Sequence, residues 1–417
     1  MLEIPQRNKI RAAVTLPGSK SITNRALVIG ALARGETRLR NFLECEDTFV
    51  MTRALRELGF TIRQSGKSAR VFGQGGKIPA RRAQLNTINS GTTLRFLTTL
   101  VSLGEGLYSL DGNQRMRQRP VEPLLGSLRE LGVDASSRQG NGCPPLQVNA
   151  SGIPGGDCHL PGKLSSQFLS SLLLSGPYAQ KDLIVNIQGE LTSRPYVQMT
   201  ISMMQEFGVS AQNKGFQTFN ISRGQTYRGR EYTIEGDASS ASYFWTAGAI
   251  TGGKVRVTNV GENSIQGDAR FAELLEKMGA DIRGGPDWLE VAGPLKRPVE
   301  VDLNDMPDMA PTLAVAALFV PGTTVIKNVA NLRYKESDRL QALTTELNKL
   351  GAKVKELPDG LIIEGGKLRG AEIETYQDHR IAMALALVGL RVKGIKIKDP
   401  GCVGKTLPDY FPRLFSL

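Results

Sequence analysis

The chain has 417 residues, with 52 Lys and Arg against 40 Asp and Glu, so its formal net charge is +12 at pH 7. This length and an apolar fraction of 40% suit two or three folded domains and exclude disorder as the main state. The longest apolar runs fall far short of the ~18 residues of a membrane span, and no signal peptide opens the chain, so we expect a soluble, cytoplasmic protein.

A unit of about 72 residues repeats along the chain. Glycines that follow similar helix ends stand at positions 59, 132, 208, 279 and 351, with steps of 73, 76, 71 and 72 residues. Each unit opens with a polar turn, an apolar helix and a β-branched strand. In chain order these segments read SITNRALVIGALARGETRL, SGTTLRFLTTLVSLGEGLYSL, SSQFLSSLLLSGPYAQKDLIV, DASSASYFWTAGAITGGKVRV, DMAPTLAVAALFVPGTTVIKN and DHRIAMALALVGLRVKGIKIK.

The helices of each unit differ in character. The first is apolar nearly all round, which predicts an interior position, and the second is amphipathic, as in 47–58 and 268–278, and ends at the repeated glycine. Strands are expected next, as at 61–63 and 281–283, and the sixth unit stops early. The pattern predicts an α/β fold of two domains with three units each, a hinge near 226–235 and a second crossing near residue 17.

The six polar turns hold the most unusual side chains. They read PGSKSITNR, NSGTT, KLSSQF, GDASSAS, PDMAPT and DHR, and each opens a first helix, so we expect them to converge. A helix N-terminus favours phosphate and carboxylate groups. Ordinary capping would explain Ser90 or Asp237. Capping does not explain why Lys20 lies near Arg25 at one turn, or why His379 and Arg380 stand together at another.

Two loops are rich in charge. RMRQRP is predicted to be extended, with Arg115, Arg117 and Arg119 on one face. NLRYKESDR packs charges of both signs at the start of the fifth unit's second helix, where a solvated helix end with local ion pairs is the alternative. Arginine suits bidentate contacts to carboxylate or phosphate, and a desolvated Lys–Glu pair can handle protons.

Several other chemistries lack support. Four cysteines without a C-x-x-C pair argue against a disulfide scaffold or a zinc site, and only two histidines, His159 and His379, exclude a relay of several histidines. GCVGKT has too few residues between its glycines for a P-loop, no G-x-G-x-x-G opens a strand–helix unit, and GQGG at 73–76 indicates a turn. These patterns therefore support no zinc site, no nucleoside triphosphatase and no dinucleotide cofactor. The basic residues are scattered and aromatics are 6%, so nucleic acid is not favoured.

Together the motifs PGSKS-x-x-NR, NSGTT, RM-x-x-RP, SSQ, PDMA, KE-S-DR and DHR, in this order, resemble those of the EPSP synthase family over essentially the whole chain. The resemblance implies a two-domain inside-out α/β barrel built from six βαβαββ repeats, three per domain. The domains would comprise 17–230, on the shikimate 3-phosphate side, and 1–16 plus 231–417, which carries the catalytic acids and faces phosphoenolpyruvate. The implied reaction transfers the enolpyruvyl group of phosphoenolpyruvate to the 5-hydroxyl of shikimate 3-phosphate, by addition and elimination through a tetrahedral intermediate. The resemblance implies no metal and no organic cofactor. It belongs to the shikimate pathway, which leads to chorismate and the aromatic amino acids.

The resemblance also assigns site residues by motif. Catalysis would rest on Asp308 as base, Glu336 for the proton at the methylene carbon, and Lys20 for the leaving phosphate. Shikimate 3-phosphate would be bound by Lys20, Ser21, Arg25, Ser165, Ser166, Gln167, Ser193, Tyr196, Asp308, Asn331 and Lys335. Phosphoenolpyruvate would be bound by Lys20, Gly91, Thr92, Arg119, Gln167, Arg339, His379, Arg380 and Lys405.

One residue departs from the family pattern. Many members have Gly before the Asn of the NSGT turn, whereas this chain has Ile88. Gly91 is retained and leaves room beside the expected phosphoenolpyruvate site, so we expect inhibition by glyphosate. The expected partners are small anions only, without nucleic acid or membrane, and the protein is expected to be a monomer.

Three alternatives stay open at this point. UDP-N-acetylglucosamine enolpyruvyl transferase shares the six-unit plan but lacks SSQ and uses a loop cysteine, which RMRQRP does not contain. An RNA 3′-terminal phosphate cyclase would need a nucleophilic histidine, for which His379 is the candidate. A non-catalytic nucleic-acid-binding protein would explain the charge but leaves Asp308 and Glu336 without a role.

Overall fold

The computed structural model describes residues 1–417, and the chain separates into two compact units. The continuous unit comprises Lys20–Ile234, and the split unit comprises Met1–Ser19 together with Glu235–Leu417. The limits expected from the sequence, residues 17 and 231, stay a prediction for the functional domains. No helix is both long enough and apolar enough to cross a bilayer.

Twelve α-helices and 23 strands make up the two units. The helices are α1 (Lys20–Leu32), α2 (Glu46–Glu57), α3 (Gly91–Val101), α4 (Glu122–Glu130), α5 (Ser166–Ser175), α6 (Arg194–Glu206), α7 (Ala238–Ile250), α8 (Phe271–Lys277), α9 (Ala310–Ala317), α10 (Arg339–Lys349), α11 (His379–Gly389) and α12 (Tyr410–Phe415). The strands are β1 (Leu2–Glu3), β2 (Arg11–Val14), β3 (Arg34–Arg40), β4 (Thr61–Ser65), β5 (Ser68–Gln74), β6 (Arg82–Asn86), β7 (Glu105–Asp111), β8 (Asp134–Ser137), β9 (Leu146–Ser151), β10 (Gly156–Pro161), β11 (Leu183–Gln188), β12 (Gln212–Lys214), β13 (Thr218–Ile221), β14 (Glu231–Thr233), β15 (Lys254–Val257), β16 (Asp281–Gly285), β17 (Trp288–Ala292), β18 (Glu300–Asp302), β19 (Thr323–Lys327), β20 (Lys353–Leu357), β21 (Gly360–Glu364), β22 (Glu372–Ile373) and β23 (Lys396–Ile397).

The βαβαββ repeat is complete in the second, third and fifth repeats. In the second, β6 pairs in parallel with β7 across the connection through α3, and the antiparallel hairpin of β8 and β9 follows α4. The sheet order β6-β7-β9-β8 recurs as β10-β11-β13-β12 and β18-β19-β21-β20. Each unit holds three sheets, which confirms the α/β class and the grouping of repeats. All six sheets are open, and none closes into a barrel.

Two strands join the sheets of repeats that lie far from them in the sequence. β2, near the N-terminus, pairs in parallel with β15, and β14 pairs in parallel with β3. The expected crossing near residue 17 is thus explained by the pairing of β2, and the expected hinge at 226–235 contains β14. The short sixth repeat has a three-stranded sheet in the order β1-β23-β22.

The helices differ as predicted. Every residue of α3, α9 and α11 is buried, which places these helices in the interior of their units. In contrast, α2 buries seven of its twelve residues. The five repeated glycines have φ between 84° and 100°, the left-handed conformation of a helix C-cap that glycine adopts without a steric penalty.

The RMRQRP prediction is wrong. Residues Met116–Gln118 form a 3-10 helix, so the three arginines do not share one face of an extended segment. Arg119 is 3% exposed, whereas the Arg117 side chain is 49% exposed. The cause is the Asn113 side chain, whose Oδ1 accepts a hydrogen bond from the Met116 amide at 3.0 Å and starts a helical turn.

Candidate active site

In the continuous unit the predicted site residues open three buried helices. Lys20 is the first residue of α1, Gly91 and Thr92 begin α3, and Ser165 caps α5 by accepting a hydrogen bond from the Gln167 amide at 3.3 Å. Ser90 caps α3 in the same way. The local sequence therefore explains the helix starts, and these starts place polar groups at the ends of otherwise apolar helices.

Arg25 lies at the centre of a neutral polar network and is 1% exposed. Its Nε donates to Thr200 Oγ1 at 2.7 Å, and Nη2 donates to Ser170 Oγ at 3.3 Å and to the Tyr196 carbonyl at 3.2 Å. Nη1 donates to the Ser21 carbonyl at 3.0 Å. These acceptors are hydroxyls and backbone carbonyls, and burial lowers the pKa of Arg25 to about 10.

The Gln167 amide is oriented by its neighbours. Arg95 Nη1 donates to Gln167 Oε1 at 2.6 Å, and Gln167 Nε2 donates to Thr92 Oγ1 at 3.1 Å. A guanidinium only donates, so the amide oxygen must face Arg95 and the NH₂ group faces Thr92. Arg95 was not predicted from the sequence. Arg95 lies five residues after Ser90, in the second turn of an otherwise apolar helix. A charged residue at such a position was the signal that could have indicated it.

Two further predicted cations have identified neighbours. Lys20 Nζ is 3.3 Å from Asp47 Oδ2, and Asp47 is 2% exposed. Arg119 Nη1 donates to Asn89 through both the carbonyl, at 3.2 Å, and the side-chain Oδ1, at 3.3 Å. Asp47 and Asn89 were not predicted as site residues.

Ser193 caps α6 in the left-handed conformation, with φ of 57°, and is 6% exposed. Tyr196 lies on the first turn of that helix, and Ser166 is the first residue of α5. The continuous unit thus holds all the predicted residues from Lys20 to Tyr196.

In the split unit Asp308 is the centre of a charged cluster. Its Oδ1 lies 3.3 Å from Lys335 Nζ and 2.9 Å from Arg339 Nη1, and its Oδ2 lies 3.1 Å from Arg380 Nη2. Burial alone raises the pKa of Asp308, but Arg380, Lys335 and Arg339 outweigh it and hold this pKa well below its ordinary value. The carboxyl group is therefore ionised at neutral pH.

Arg339 joins this cluster to two more carboxylates. Nη2 lies 2.8 Å from Glu336 Oε2, while Nε and Nη2 contact Asp378 Oδ2 and Oδ1 at 2.7 and 3.1 Å. Asp378 is 0% exposed, caps α11 through the Arg380 amide and accepts a hydrogen bond from Ser337 Oγ at 2.9 Å. Asp378 was not predicted as a site residue, although it begins the DHR motif.

The other predicted residues of this unit lie on nearby helix ends and turns. His379 is 1% exposed, and its Nδ1 is 3.6 Å from Asp378 Oδ1. Asn331 and Lys405 lie in the 3-10 turns Ala330–Tyr334 and Pro400–Lys405 and are 7% and 5% exposed. A histidine this buried is poorly placed to attack a polynucleotide. No group of three or more His, Cys, Asp and Glu side chains is arranged to hold a metal ion.

The chemistry of the two units is therefore distinct. The continuous unit offers cations, hydroxyls and helix N-termini, which suit phosphate. The split unit offers an ionised carboxylate surrounded by cations, which suits a base that acts beside an anionic substrate.

Comparisons with known proteins give one consistent result. The family model for EPSP synthase (3-phosphoshikimate 1-carboxyvinyltransferase) matches residues 4–414. A 3-phosphoshikimate 1-carboxyvinyltransferase of Nostoc punctiforme is 46% identical over 420 residues, covering 100% of this chain and 99% of that protein. One of Shewanella baltica is 45% identical and covers 98% and 97%. The structure of EPSP synthase from Acinetobacter baumannii superposes with a TM-score of 0.81 at 29% identity, covering 100% of this chain and 97% of that one.

Proposed function

The chain belongs to the EPSP synthase family, and on that premise we propose its reaction in full. The enzyme transfers the enolpyruvyl group of phosphoenolpyruvate to the 5-hydroxyl of shikimate 3-phosphate and releases phosphate. The product, 5-enolpyruvylshikimate 3-phosphate, belongs to the shikimate pathway of aromatic biosynthesis.

The observation that supports this proposal most is the Asp308 cluster. An ionised carboxylate held by three cations can accept the proton of a hydroxyl, while the same cations attract the anionic groups of both substrates. When the anionic groups of phosphoenolpyruvate bind Arg339 and Arg380, these two residues stabilise the negative charge of Asp308 less. We infer that the pKa of Asp308 then rises, which makes it a stronger base when the substrate is present.

The reaction has two balanced steps. In the addition, Asp308 takes the proton of the 5-hydroxyl and the oxygen bonds to C2 of phosphoenolpyruvate. Glu336, which we assign as protonated when this step begins, gives its proton to the methylene carbon. In the elimination, the C2–O bond to phosphate breaks, the new methyl group returns a proton to Glu336, and the proton held by Asp308 passes to the departing phosphate, so that both carboxyl groups regain their starting states. Lys20 stabilises the negative charge of the departing phosphate.

Each unit contributes to both substrates in this proposal. In the continuous unit, the ligands of shikimate 3-phosphate are Lys20, Ser21, Arg25, Ser165, Ser166, Gln167, Ser193 and Tyr196. The ligands of phosphoenolpyruvate in this unit are Lys20, Gly91, Thr92, Arg119 and Gln167. In the split unit, the shikimate 3-phosphate ligands are Asp308, Asn331 and Lys335, and the phosphoenolpyruvate ligands are Arg339, His379, Arg380 and Lys405. The functional domains in this proposal are residues 17–230 and residues 1–16 plus 231–417.

We also propose that glyphosate inhibits by occupying the phosphoenolpyruvate site, and that the enzyme is a cytoplasmic monomer. Phosphorylated substrates do not cross membranes unaided, which favours an enzyme inside the cell. Sedimentation equilibrium tests the oligomeric state, since a monomer has a mass of 45.2 kDa.

The decisive experiment measures phosphate release from phosphoenolpyruvate with either shikimate 3-phosphate or UDP-N-acetylglucosamine as acceptor. Release with shikimate 3-phosphate alone is the expected result. Release with UDP-N-acetylglucosamine alone would keep the chemistry but overturn the acceptor site around Ser165, Ser166 and Gln167. Release with neither acceptor from folded protein would contradict the proposal.

A further inference from the structure

Two loops of the continuous unit carry residues proposed for phosphoenolpyruvate, and they are joined at Asp111. The 87–91 turn connects β6 to α3 and ends at Gly91, the first residue of α3. The 112–119 loop follows β7 and ends at Arg119. The backbone carbonyl of Asp111 accepts hydrogen bonds from the Thr87 amide at 2.8 Å and from Thr87 Oγ1 at 2.9 Å. Asp111 therefore fixes the start of the turn through its main chain.

The side chain of Asp111 fixes the loop. Arg117 Nε donates to Asp111 Oδ1 at 3.0 Å, Arg117 Nη2 donates to Oδ2 at 2.5 Å, and the Gly112 amide donates to Oδ1 at 2.8 Å. Burial by itself raises the pKa of Asp111, but the hydrogen bonds from Arg117 and Gly112 outweigh it, so this pKa lies below its ordinary value. One residue thus holds both segments, by its carbonyl and by its carboxylate.

The two segments also meet directly at Ile88. The Asn113 amide donates to the Ile88 carbonyl at 2.8 Å, and a Cβ at Gly112 would lie only 2.4 Å from that carbonyl oxygen. Beyond this contact, Arg119 bonds Asn89, and a Cβ at Gly91 would lie 2.6 Å from Arg119 Nη2. The position of Arg119 against Gly91 therefore depends on how closely the two segments approach.

Ile88 is strained in this arrangement. Its φ is 51°, in the left-handed region where a β-branched residue is an outlier. Its amide is held by Asn86 Oδ1 at 2.9 Å, and its carbonyl by Asn113. A glycine would adopt this conformation freely, so the presence of isoleucine makes the surrounding contacts more important in this chain.

We propose that Asp111 and Arg117 form a clasp that positions Gly91 and Arg119 for phosphoenolpyruvate and holds Ile88 in its left-handed conformation. Asp111 and Arg117 act here as positioning residues, since neither is assigned to touch substrate. The inference rests on the proposed function for the identity of the bound anion. The clasp borders an open surface cavity of about 450 Å³, so its side chains can be replaced without opening the core.

The first test compares Arg117→Ala and Asp111→Asn with the parent enzyme. We expect the KM for phosphoenolpyruvate to rise about tenfold, because a displaced binding group loses much of its contribution, while kcat and the Kd for shikimate 3-phosphate change less than about twofold. The double variant should be no worse than the poorer single variant, since both remove one interaction. Arg115→Ala is the matched control, because Arg115 lies in the same loop and its Nη1 contacts Gln118 at 3.4 Å instead of Asp111.

The second test adds Ile88→Gly. In the Asp111→Asn background this change should reverse at least about half of the increase in log KM for phosphoenolpyruvate. The reason is that glycine needs no clasp to keep a positive φ. In the parent background it should change the KM less than about threefold. Equal KM values for Arg117→Ala and Arg115→Ala would overturn the clasp, and no recovery by Ile88→Gly would overturn its role in holding Ile88.

A third measurement does not depend on the reaction. Amide hydrogen exchange should be faster at residues 87–91 in Arg117→Ala than in Arg115→Ala, because the Thr87 amide is bonded to Asp111. If the parent enzyme failed to use shikimate 3-phosphate while this difference appeared, the proposed function would fail and the clasp would stand. Unchanged exchange in the Arg117 variant would contradict the clasp whatever the substrate.

Discussion

Arg25 of the continuous unit and Arg339 of the split unit are each 1% exposed, yet their surroundings are opposite. The hydrogen bonds of Arg25 go to hydroxyls and backbone carbonyls, and burial lowers its pKa to about 10. Burial also lowers the pKa of Arg339, but Asp378, Glu336 and Asp308 outweigh it and raise this pKa above its ordinary value.

We infer from this difference that Arg25 serves binding, whereas Arg339 serves to position the carboxylates around it. A cation surrounded by neutral acceptors keeps its charge available for an incoming phosphate. A cation shared among three carboxylates has its charge compensated by them and instead fixes these carboxylates in place. We expect variants of Arg25 to affect affinity first and variants of Asp308 to affect turnover first.

Asp308→Ala should have the largest effect. We expect kcat to fall about 10²–10⁴-fold, as for loss of a general base, while the Kd for shikimate 3-phosphate changes less than about threefold. Binding of phosphoenolpyruvate should not weaken, because Arg339 and Arg380 lose a competing anion. Steady-state kinetics and calorimetric titration measure both quantities. Asp305→Ala, in the same loop, is the control, and parental turnover in Asp308→Ala would remove this residue from the catalytic group.

Arg25→Ala should weaken shikimate 3-phosphate binding about 100-fold, because charged hydrogen bonds to phosphate are lost, with a much smaller change in kcat. The variant should fold, since Thr200 Oγ1 and Ser170 Oγ still contact each other at 2.9 Å and no buried charge is left unpaired. Calorimetric titration with shikimate 3-phosphate gives the Kd. An unchanged Kd would break the comparison, because Arg25 would then be a packing residue.

Gly91→Ala should discriminate between two ligands of the same site. Its new Cβ would lie 2.6 Å from Arg119 Nη2 and 2.9 Å from Cζ, so the guanidinium must move. Glyphosate has one more bond than phosphoenolpyruvate between its carboxylate and phosphorus, so it tolerates the narrower space less well. We expect its inhibition constant to rise at least about tenfold more than the KM for phosphoenolpyruvate. Gly126→Ala, whose Cβ would meet only Arg129 at 3.9 Å, is the control, and parallel changes in both constants would be contrary to this account.

Glu36→Gln should have the smallest effect. Glu36 lies between Arg70 and Arg38 on the solvent face of its sheet, and hydrogen bonds from Arg70 and then Arg38 lower its pKa to about 2. Because the folded pKa is depressed, its contribution to stability is present above about pH 4.5 and is lost as the pH falls towards about 2. We expect an apparent Tm about 1–3 °C lower than the parent's at pH 7, with the gap closing in acid.

Thermal unfolding at several pH values measures this gap. Glu57→Gln is a suitable control, because Glu57 has its ion pair with Arg53 at 3.6 Å along one helix. If the difference in Tm between the parent and Glu36→Gln widened in acid, its pH dependence would have the opposite sign to the expected one. Ionisation of Glu36 would then be excluded as the cause. The ion pairs of Glu36 with Arg70 and Arg38 would then not stabilise the fold at neutral pH, unlike the ion pairs expected for the buried carboxylates of the split unit.

The sequence predicted the repeat because its signals are local. The helix caps at Ser90 and Asp237, the left-handed glycines and the apolar helices all depend on neighbouring residues, and the structure has them where expected. Predicted strands at 61–63 and 281–283 begin at the same residues as β4 and β16. The assignment of roles to individual site residues stays a prediction.

The sequence did not predict contacts between distant segments. Asp378 follows Arg339 by 39 residues, and nothing near either residue indicates that they meet. Arg117 was grouped with Arg119 because an extended segment was assumed, whereas the Asn113 side chain starts a helical turn and directs the two arginines apart. Ile88 was noted as a departure, but its positive φ is a property of the folded turn.

The pairing of β2 with β15 has a consequence for synthesis on the ribosome. Arg11 pairs with Lys254, so the first long strand to emerge waits for 243 more residues before its neighbour exists. At about 5–20 residues per second, this delay is on the order of 10–50 s. The continuous unit can complete its three sheets during this time, since β14 is its last strand. We therefore expect the middle of the chain to fold first and the nascent N-terminal segment to stay accessible to chaperones until the split unit is made.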